Sequence, residues 1–426
     1  MSAIINMFEK NKIFLYYLIL LLIVLFRTSL AEPNAVVRYG FLIAFFAPLA
    51  LNYKYLFPPC LIAFMTIGTY GYAYNFFPYD MSMYVVIATM GLFMGVQNRY
   101  YKPGTDIVFI ITYFSLSCIY NSFSFNNFIY CFITIVIMIY YFCRGQFNLQ
   151  LMLNCFCIAS LSLALIYLLN YEKFLTDYRT ADGMSRSGWT DPNYLSCIIG
   201  MGVVTAFYQL LTVKQKTLIR KAFWLSTIGV AFIAQVLMAS RGGLLSVSVS
   251  CVILIFMSDI KLSNKLVFVL AIMLFIGWLY QNNYFELLEY RIQHDSGTGS
   301  GRTEIWNRKY MDFSNENFFN ILFGVGYERS LSLGGYIKGV AFHNDFIAIL
   351  CQYGLIGLML FVYMLIRPFY NLNRRGRFII FSMVAYIVCT CMTLDPFSSG
   401  RLTYFGFYLL ILLLANSFRM KSTNIL

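Results

Sequence analysis

The amino-acid sequence predicts an all-α protein, a polytopic transmembrane helical bundle of 12 to 14 spans with a long outer-face loop containing short helices. Three observations lead there. Charged residues make up 12% of the 426-residue chain and hydrophobic ones 60%, whereas a soluble chain carries roughly 25% charged residues. Charge-poor runs recur along the whole sequence, and many approach the about 20 apolar residues that a spanning helix needs. The apolar–polar alternation over about ten positions that marks a transmembrane barrel is absent. A water-soluble globular chain, a disordered chain and, despite the net charge of +13, a nucleic-acid binder are thereby excluded.

In chain order, spans are expected near 13–30, 39–52, 55–77, 81–97, 106–122, 127–143, 151–170, 193–212, 222–239, 243–258, 266–281, 344–366, 378–394 and 402–418. The short runs 39–52 and 243–258 are the weakest, which sets the lower bound of 12. The run 13–30 is too long for a signal-peptide core and no small-residue cleavage site follows it, so it is expected to be the first span. With the N-terminus in the cytoplasm and sides alternating, 18 of the 31 Lys and Arg fall on the cytoplasmic side, against Glu9, Asp106 and Asp259 among the acids. That asymmetry orients the chain with both termini cytoplasmic, and the basic balance is a topology signal. Two outer loops are long, 171–192 and 282–343, in what reads as one integral membrane domain over 1–426. The 11 cysteines lie in or beside apolar runs, as small packing residues would, and no spacing of Cys and His suggests a metal site.

The polar chemistry gathers on the outer face. In the long loop, Ser300 is a plausible helix cap, and Arg302, Trp306, Lys309 and Phe313 recur at spacings of three and four. They would share one face of an amphipathic helix lying against the bilayer. A turn element, Leu322-Phe323-Gly324-Val325-Gly326-Tyr327, follows. The loop closes with Phe342-His343-Asn344-Asp345, where Asn344 or Asp345 can cap the next span. His343 would then sit at the positive end of a helix dipole, which favours the neutral imidazole that a general base needs; a capping or interfacial histidine is the alternative. Arg241 stands in Ser240-Arg241-Gly242-Gly243, where the glycines would let a ligand approach the backbone closely. Arg186, Arg302 and Arg401 are the other outer arginines, able to grip phosphate in bidentate fashion or simply to snorkel and pair with acids. Pro192 and Asn193 make a turn into a span that Asp191 or Asn193 can cap, with shaping of an acceptor pocket as the alternative. There is no carboxylate cluster for a metal, no phosphate-binding Gly-rich loop with Lys and no nucleophile elbow.

Arg302 and Trp306, then Phe323-Gly324-Val325-Gly326, then His343-Asn344-Asp345 with Tyr353-Gly354-Leu355-Ile356-Gly357, resemble the O-antigen ligase and polymerase superfamily of bacterial surface-polysaccharide assembly. Ser240-Arg241-Gly242 and Asp191-Pro192-Asn193 also fall where its pattern expects them. The resemblance runs from Arg186 to Gly357. It implies metal-independent, inverting glycosyl transfer at the periplasmic face of the bacterial inner membrane, without a cofactor, from a glycan carried on undecaprenyl diphosphate. It matches Arg241 and Arg302 to arginines that engage the diphosphate and His343 to the base, with Arg186, Asn193, Trp306, Asn344 and Arg401 as substrate-binding candidates. The implied partners are the lipid-linked donor, a glycan or lipid A–core acceptor, the bilayer and a chain-length regulator. A polymerase of O-antigen repeat units in lipopolysaccharide biosynthesis is favoured, because 19% aromatic residues suit sugar-stacking walls. A ligase to lipid A–core is the alternative. A flippase or other transporter, the second alternative, would need charges at the midplane and pseudo-symmetric halves, which the sequence lacks.

Overall fold

A computed structural model of the chain describes residues 109–110, 112–114, 116, 149–169, 171, 192–212, 217–258, 260–293, 301–336, 340–398 and, within 407–418, residues 407, 408, 410–412, 414, 415 and 418. The spans expected near 13–30, 39–52, 55–77, 81–97 and 127–143 lie outside these residues, as do Arg186 and Arg401. Among the described residues the structure is helical, in the order α1 (Leu149–Leu169), α2 (Pro192–Thr212), α3 (Leu218–Leu237), α4 (Arg241–Met257), α5 (Leu262–Gln281), α6 (Glu286–Gln293), α7 (Arg302–Ser314), α8 (Phe318–Phe323), α9 (Tyr327–Ser332), α10 (Asp345–Ile366) and α11 (Arg374–Thr393). Five helices are long and apolar enough to cross a membrane: α2, α3, α5, α10 with the 3-10 turn that continues it, and α11. The protein is an all-α polytopic membrane protein. Two compact units divide at Glu289, with residues 109–116 belonging to the second.

In the first unit α2 is the central helix, packed by α1, α3 and α4. Its small residues make this possible. A Cβ on Gly202 would lie 2.0 Å from the Ser160 Cβ, so only glycine lets α1 and α2 meet here. Several polar side chains inside the bundle bond to backbone or to one another. Gln209 reaches the Cys157 sulfur at 3.3 Å, and the Gln235 amide donates to the Ser196 carbonyl at 2.7 Å. Helix α5 is largely exposed along its length, with Leu266, Val267, Leu270, Met273 and Leu274 on the outside, as a lipid-facing helix should be.

In the second unit the expected outer helix is present as α7, with two corrections. Its cap is Gly301, in a left-handed conformation at φ 77°, rather than Ser300, which lies outside the described residues. Its Arg302–Phe313 face does not rest on the bilayer. Lys309 and Phe313 are buried inside the unit, and Phe313 packs with Val325, Leu333, Phe342, Ala348 and Cys351. The protein offers that face both apolar cover and hydrogen-bond partners, which lipid does not.

The span expected at 344–366 is also not one straight helix. Gly354 stands inside α10 at φ 70°, ψ −172°, a region essentially reserved for glycine. The two arms turn toward each other. Phe346 and Phe361 meet edge-on at 5.6 Å between ring centroids, whereas fifteen residues of unbroken helix would set them about 22 Å apart. The turn element at 323–326 fills the break. Val325 N–H donates to Cys351 C=O at 2.9 Å and Gly326 N–H to Gln352 C=O at 3.1 Å. The Tyr113 hydroxyl donates to Tyr353 C=O at 2.7 Å. Three carbonyls that the break would leave without helical partners are thereby satisfied. The close approach needs glycine on both sides: a Cβ on Gly324 would fall 2.2 Å from Gln352 C=O, and one on Gly354 2.3 Å from Leu322 C=O.

Candidate functional site

The second unit brings together Arg302, Trp306, His343 and Asn344 at the head of α10. The turn before that helix is tightly specified. Trp306 Nε1–H donates to Phe342 C=O at 2.6 Å, and the Phe342 ring is fully buried. Asn344 is the cap, its Oδ1 accepting from Phe346 N–H at 3.0 Å and Ile347 N–H at 3.2 Å. Between these anchors His343 adopts φ 52°, a left-handed conformation in which non-glycine residues are uncommon and which histidine tolerates better than bulkier side chains. The half-buried imidazole thus projects from a strained turn at a helix N-terminus. Its Nδ1 is shielded from solvent and makes no hydrogen bond, although the residue has other contacts.

Asp345 does not cap the helix. It is fully buried, and its two carboxylate oxygens accept from Phe397 N–H at 2.9 Å and Ser398 N–H at 2.8 Å. Its own N–H donates to Leu394 C=O at 3.1 Å. The Asn344 amide donates to Met392 C=O at 3.5 Å, and Arg302 donates to Thr393 C=O at 2.7 Å. The C-terminal end of α11 and the residues after it, 392–398, are therefore part of the site, which the sequence reading missed. Helix α11 ends with carbonyls that lack helical partners, and a guanidinium at that negative end is favourably placed. The signal for this segment was Asp395-Pro396, where a helix must stop. Arg302, expected to engage a diphosphate, thus also fixes a helix end, and the bond to Thr393 orients its guanidinium plane.

Lys309 was placed on the right face without a role. Its ammonium is buried and donates to Ser330 C=O at 2.9 Å and Leu331 C=O at 2.8 Å. It lies 4.3 Å from the Phe342 ring centroid and 5.5 Å from that of Tyr336. Burial lowers its pKa from 10.5 to about 8, with the electrostatic pull of Cys351 and Asp395 opposing.

Arg241 and Asn193 belong to the first unit. Arg241 is the first residue of α4, after a sharp corner in which Ala239 has φ 48°. Ser240 caps the helix, accepting from Gly243 N–H at 3.4 Å. The expectation that both glycines leave this backbone open to a ligand is corrected at Gly243, where a Cβ would lie 2.2 Å from Ser196 Oγ of α2. That glycine serves helix packing. Asn193 lies inside α2, because Pro192 is already its first residue, as the fixed φ of proline favours. The cap position therefore falls on Asp191, outside the described residues.

No curated protein matches the chain. Residues 222–362, about a third of the chain, match the family model described as O-antigen ligase. That stretch contains Arg241, Arg302, Trp306, His343 and Asn344, and stops short of Asn193 and of the 392–398 segment. Over that stretch the chain, on a polytopic helical scaffold, is thus similar to the O-antigen ligase/polymerase superfamily.

Proposed function

We propose that this protein is a membrane glycosyltransferase that polymerises undecaprenyl-diphosphate-linked oligosaccharide repeat units at the periplasmic face of the bacterial inner membrane, without a metal and with inversion. The observation that supports this most is the anchored turn at the head of α10. His343 is held there in a left-handed conformation beside α7, the helix that Arg302 opens, within the stretch that matches O-antigen ligase. In this reading a diphosphate is the leaving group. Arg241 and Arg302 offset the charge that grows on it as the bond to the anomeric carbon breaks. His343 accepts the proton of the acceptor hydroxyl as that oxygen attacks from the opposite face. Trp306 and Asn344 hold the base in place; Arg186, Asn193 and Arg401 are assigned to the substrates. The partners are the lipid-linked donor, the acceptor glycan and a chain-length regulator.

His343→Ala should leave an inserted, folded protein whose product formation falls by roughly 100-fold or more. Near-normal turnover would remove His343 as the base. The description of the matched family favours a second reading, a ligase that hands the glycan to lipid A–core. The gel profile of lipopolysaccharide from a deletion strain separates the two. A polymerase deletion leaves lipid A–core bearing a single repeat unit, and a ligase deletion leaves it bare.

A further inference from the structure

The catalytic reading assigns nothing to Lys309, yet this is the most completely enclosed cation among the described residues, with no measurable exposure. A lysine is rarely buried unless its ammonium is compensated. Here two carbonyls at the end of α9 accept hydrogen bonds from it, and the faces of Phe342 and Tyr336 lie against it. The groups that bear on it electrostatically are Cys351 from α10 and Asp395 beyond α11. The Phe342 ring, 4.3 Å from the ammonium, belongs to the residue before His343, and its carbonyl is tied by Trp306, one turn earlier on α7. Trp306 and Lys309 therefore grip one residue, by its backbone and by its ring.

We propose that Lys309 is a positioning residue for His343, holding the turn that carries the imidazole and supplying a buried positive charge that favours its uncharged form. This rests on His343 being the base. A cation inside a low-dielectric enclosure acts on a neighbouring titration far more than one in water. It makes a second positive charge on the imidazole costly and so keeps a base available near neutral pH. With a pKa of about 8, Lys309 is largely charged across the range in which a histidine titrates. The other charged groups on the elements around the turn, Arg302, Glu304, Arg308 and Asp312 on α7, Asp345 on α10 and Asp395 beyond α11, are common to every variant below. A comparison at position 309 therefore isolates the lysine.

The chain has two histidines, His294 and His343, which makes the imidazole directly observable. In full-length His294→Gln protein labelled at histidine and held in nanodiscs, the ring signal of His343 is titrated by NMR. Lys309→Met keeps the length of the side chain and removes the charge; Lys309→Arg keeps the charge. The midpoint of His343 should rise by about one pH unit in Lys309→Met and stay near its original value in Lys309→Arg. An unchanged midpoint in Lys309→Met, or an equal rise in both variants, overturns the proposal. Should Lys309→Met not fold, the unsubstituted lysine still provides the test. Its own deprotonation should appear as an inflection of the His343 signal near pH 8 that is missing in Lys309→Arg, and the lack of that difference overturns the coupling. The acid limb of product formation should move with the midpoint. A moved midpoint with an unmoved limb supports the coupling and counts against His343 as the base, so the two ideas fail separately.

Discussion

Gly354→Ala is the sharpest test of how the site is built, because it alters a residue to which no chemical role is assigned. The backbone there has φ 70° and ψ −172°, which costs an L-residue about 1–3 kcal/mol. The new methyl would lie 2.3 Å from Leu322 C=O and 2.5 Å from Gly324 N. Both are backbone atoms, so no side chain can swing aside, and overpacking of this kind adds roughly 1–3 kcal/mol. Relief means separating α8 from α10, which stretches the bonds from Val325 and Gly326 to Cys351 and Gln352, each contributing about 1 kcal/mol. The sum is on the order of 4–8 kcal/mol, placed in the second unit. Hydrogen exchange of the full-length protein in nanodiscs would show protection lost across 318–332 and 345–356, with 192–257 unchanged. Exchange rates within twofold of the parent over 318–332 would refute the claim that the two glycines interlock the loop and the broken helix.

Three further outcomes follow from the site. Asp345→Asn keeps the shape but replaces one acceptor with a donor facing Phe397 or Ser398 N–H; thermal unfolding should show a loss of about 2–4 kcal/mol, and an unchanged melting temperature would sink the assigned role. Trp306→Phe removes the bond to Phe342 C=O and should cost about 1–2 kcal/mol, read as roughly tenfold faster exchange over 340–346. Lys309 has a pKa of about 8 in the fold against 10.5 when exposed, so between these values the unfolded chain binds the proton more tightly. Stability of the second unit should therefore rise with pH from 8 to 10.5, by at most about 3 kcal/mol, and a fall attributable to Lys309 by comparison with Lys309→Met would contradict the burial argument.

What the sequence disclosed follows from what each residue does locally. Apolar runs specify spans by composition alone, so α2, α3, α4, α5 and α11 appear within a few residues of their expected bounds. Asn344 was legible as a cap because a cap acts on N–H groups two and three residues away. The interruption at Gly354 was not legible, since Tyr353-Gly354-Leu355 reads as helix until Val325 and Gly326 arrive from well upstream to take up the freed carbonyls of Cys351 and Gln352. The same limit hid residues 392–398, whose partners Arg302, Asn344 and Asp345 lie 48 to 91 positions away. Lys309 was mistaken for a surface residue because period alone places it on a face and cannot say what covers that face.

These long-range bonds share one feature that bears on how the site could work. Arg302, Trp306, Asn344, Asp345 and Lys309 all spend hydrogen bonds on backbone groups, and most of those groups lie at helix ends or turns. Backbone carbonyls and N–H groups cannot rotate away, so polar side chains anchored to them hold one geometry even where few other polar partners exist. A base on such a frame needs little reorganisation when charge develops beside it. The strain at His343 fits this arrangement. A left-handed turn would relax if either neighbour were free, but Phe342 is fixed by Trp306 and Lys309, and Asn344 by the first turn of α10 and by Met392. The turn is thereby held from three sides, by α7, by α10 and by the end of α11.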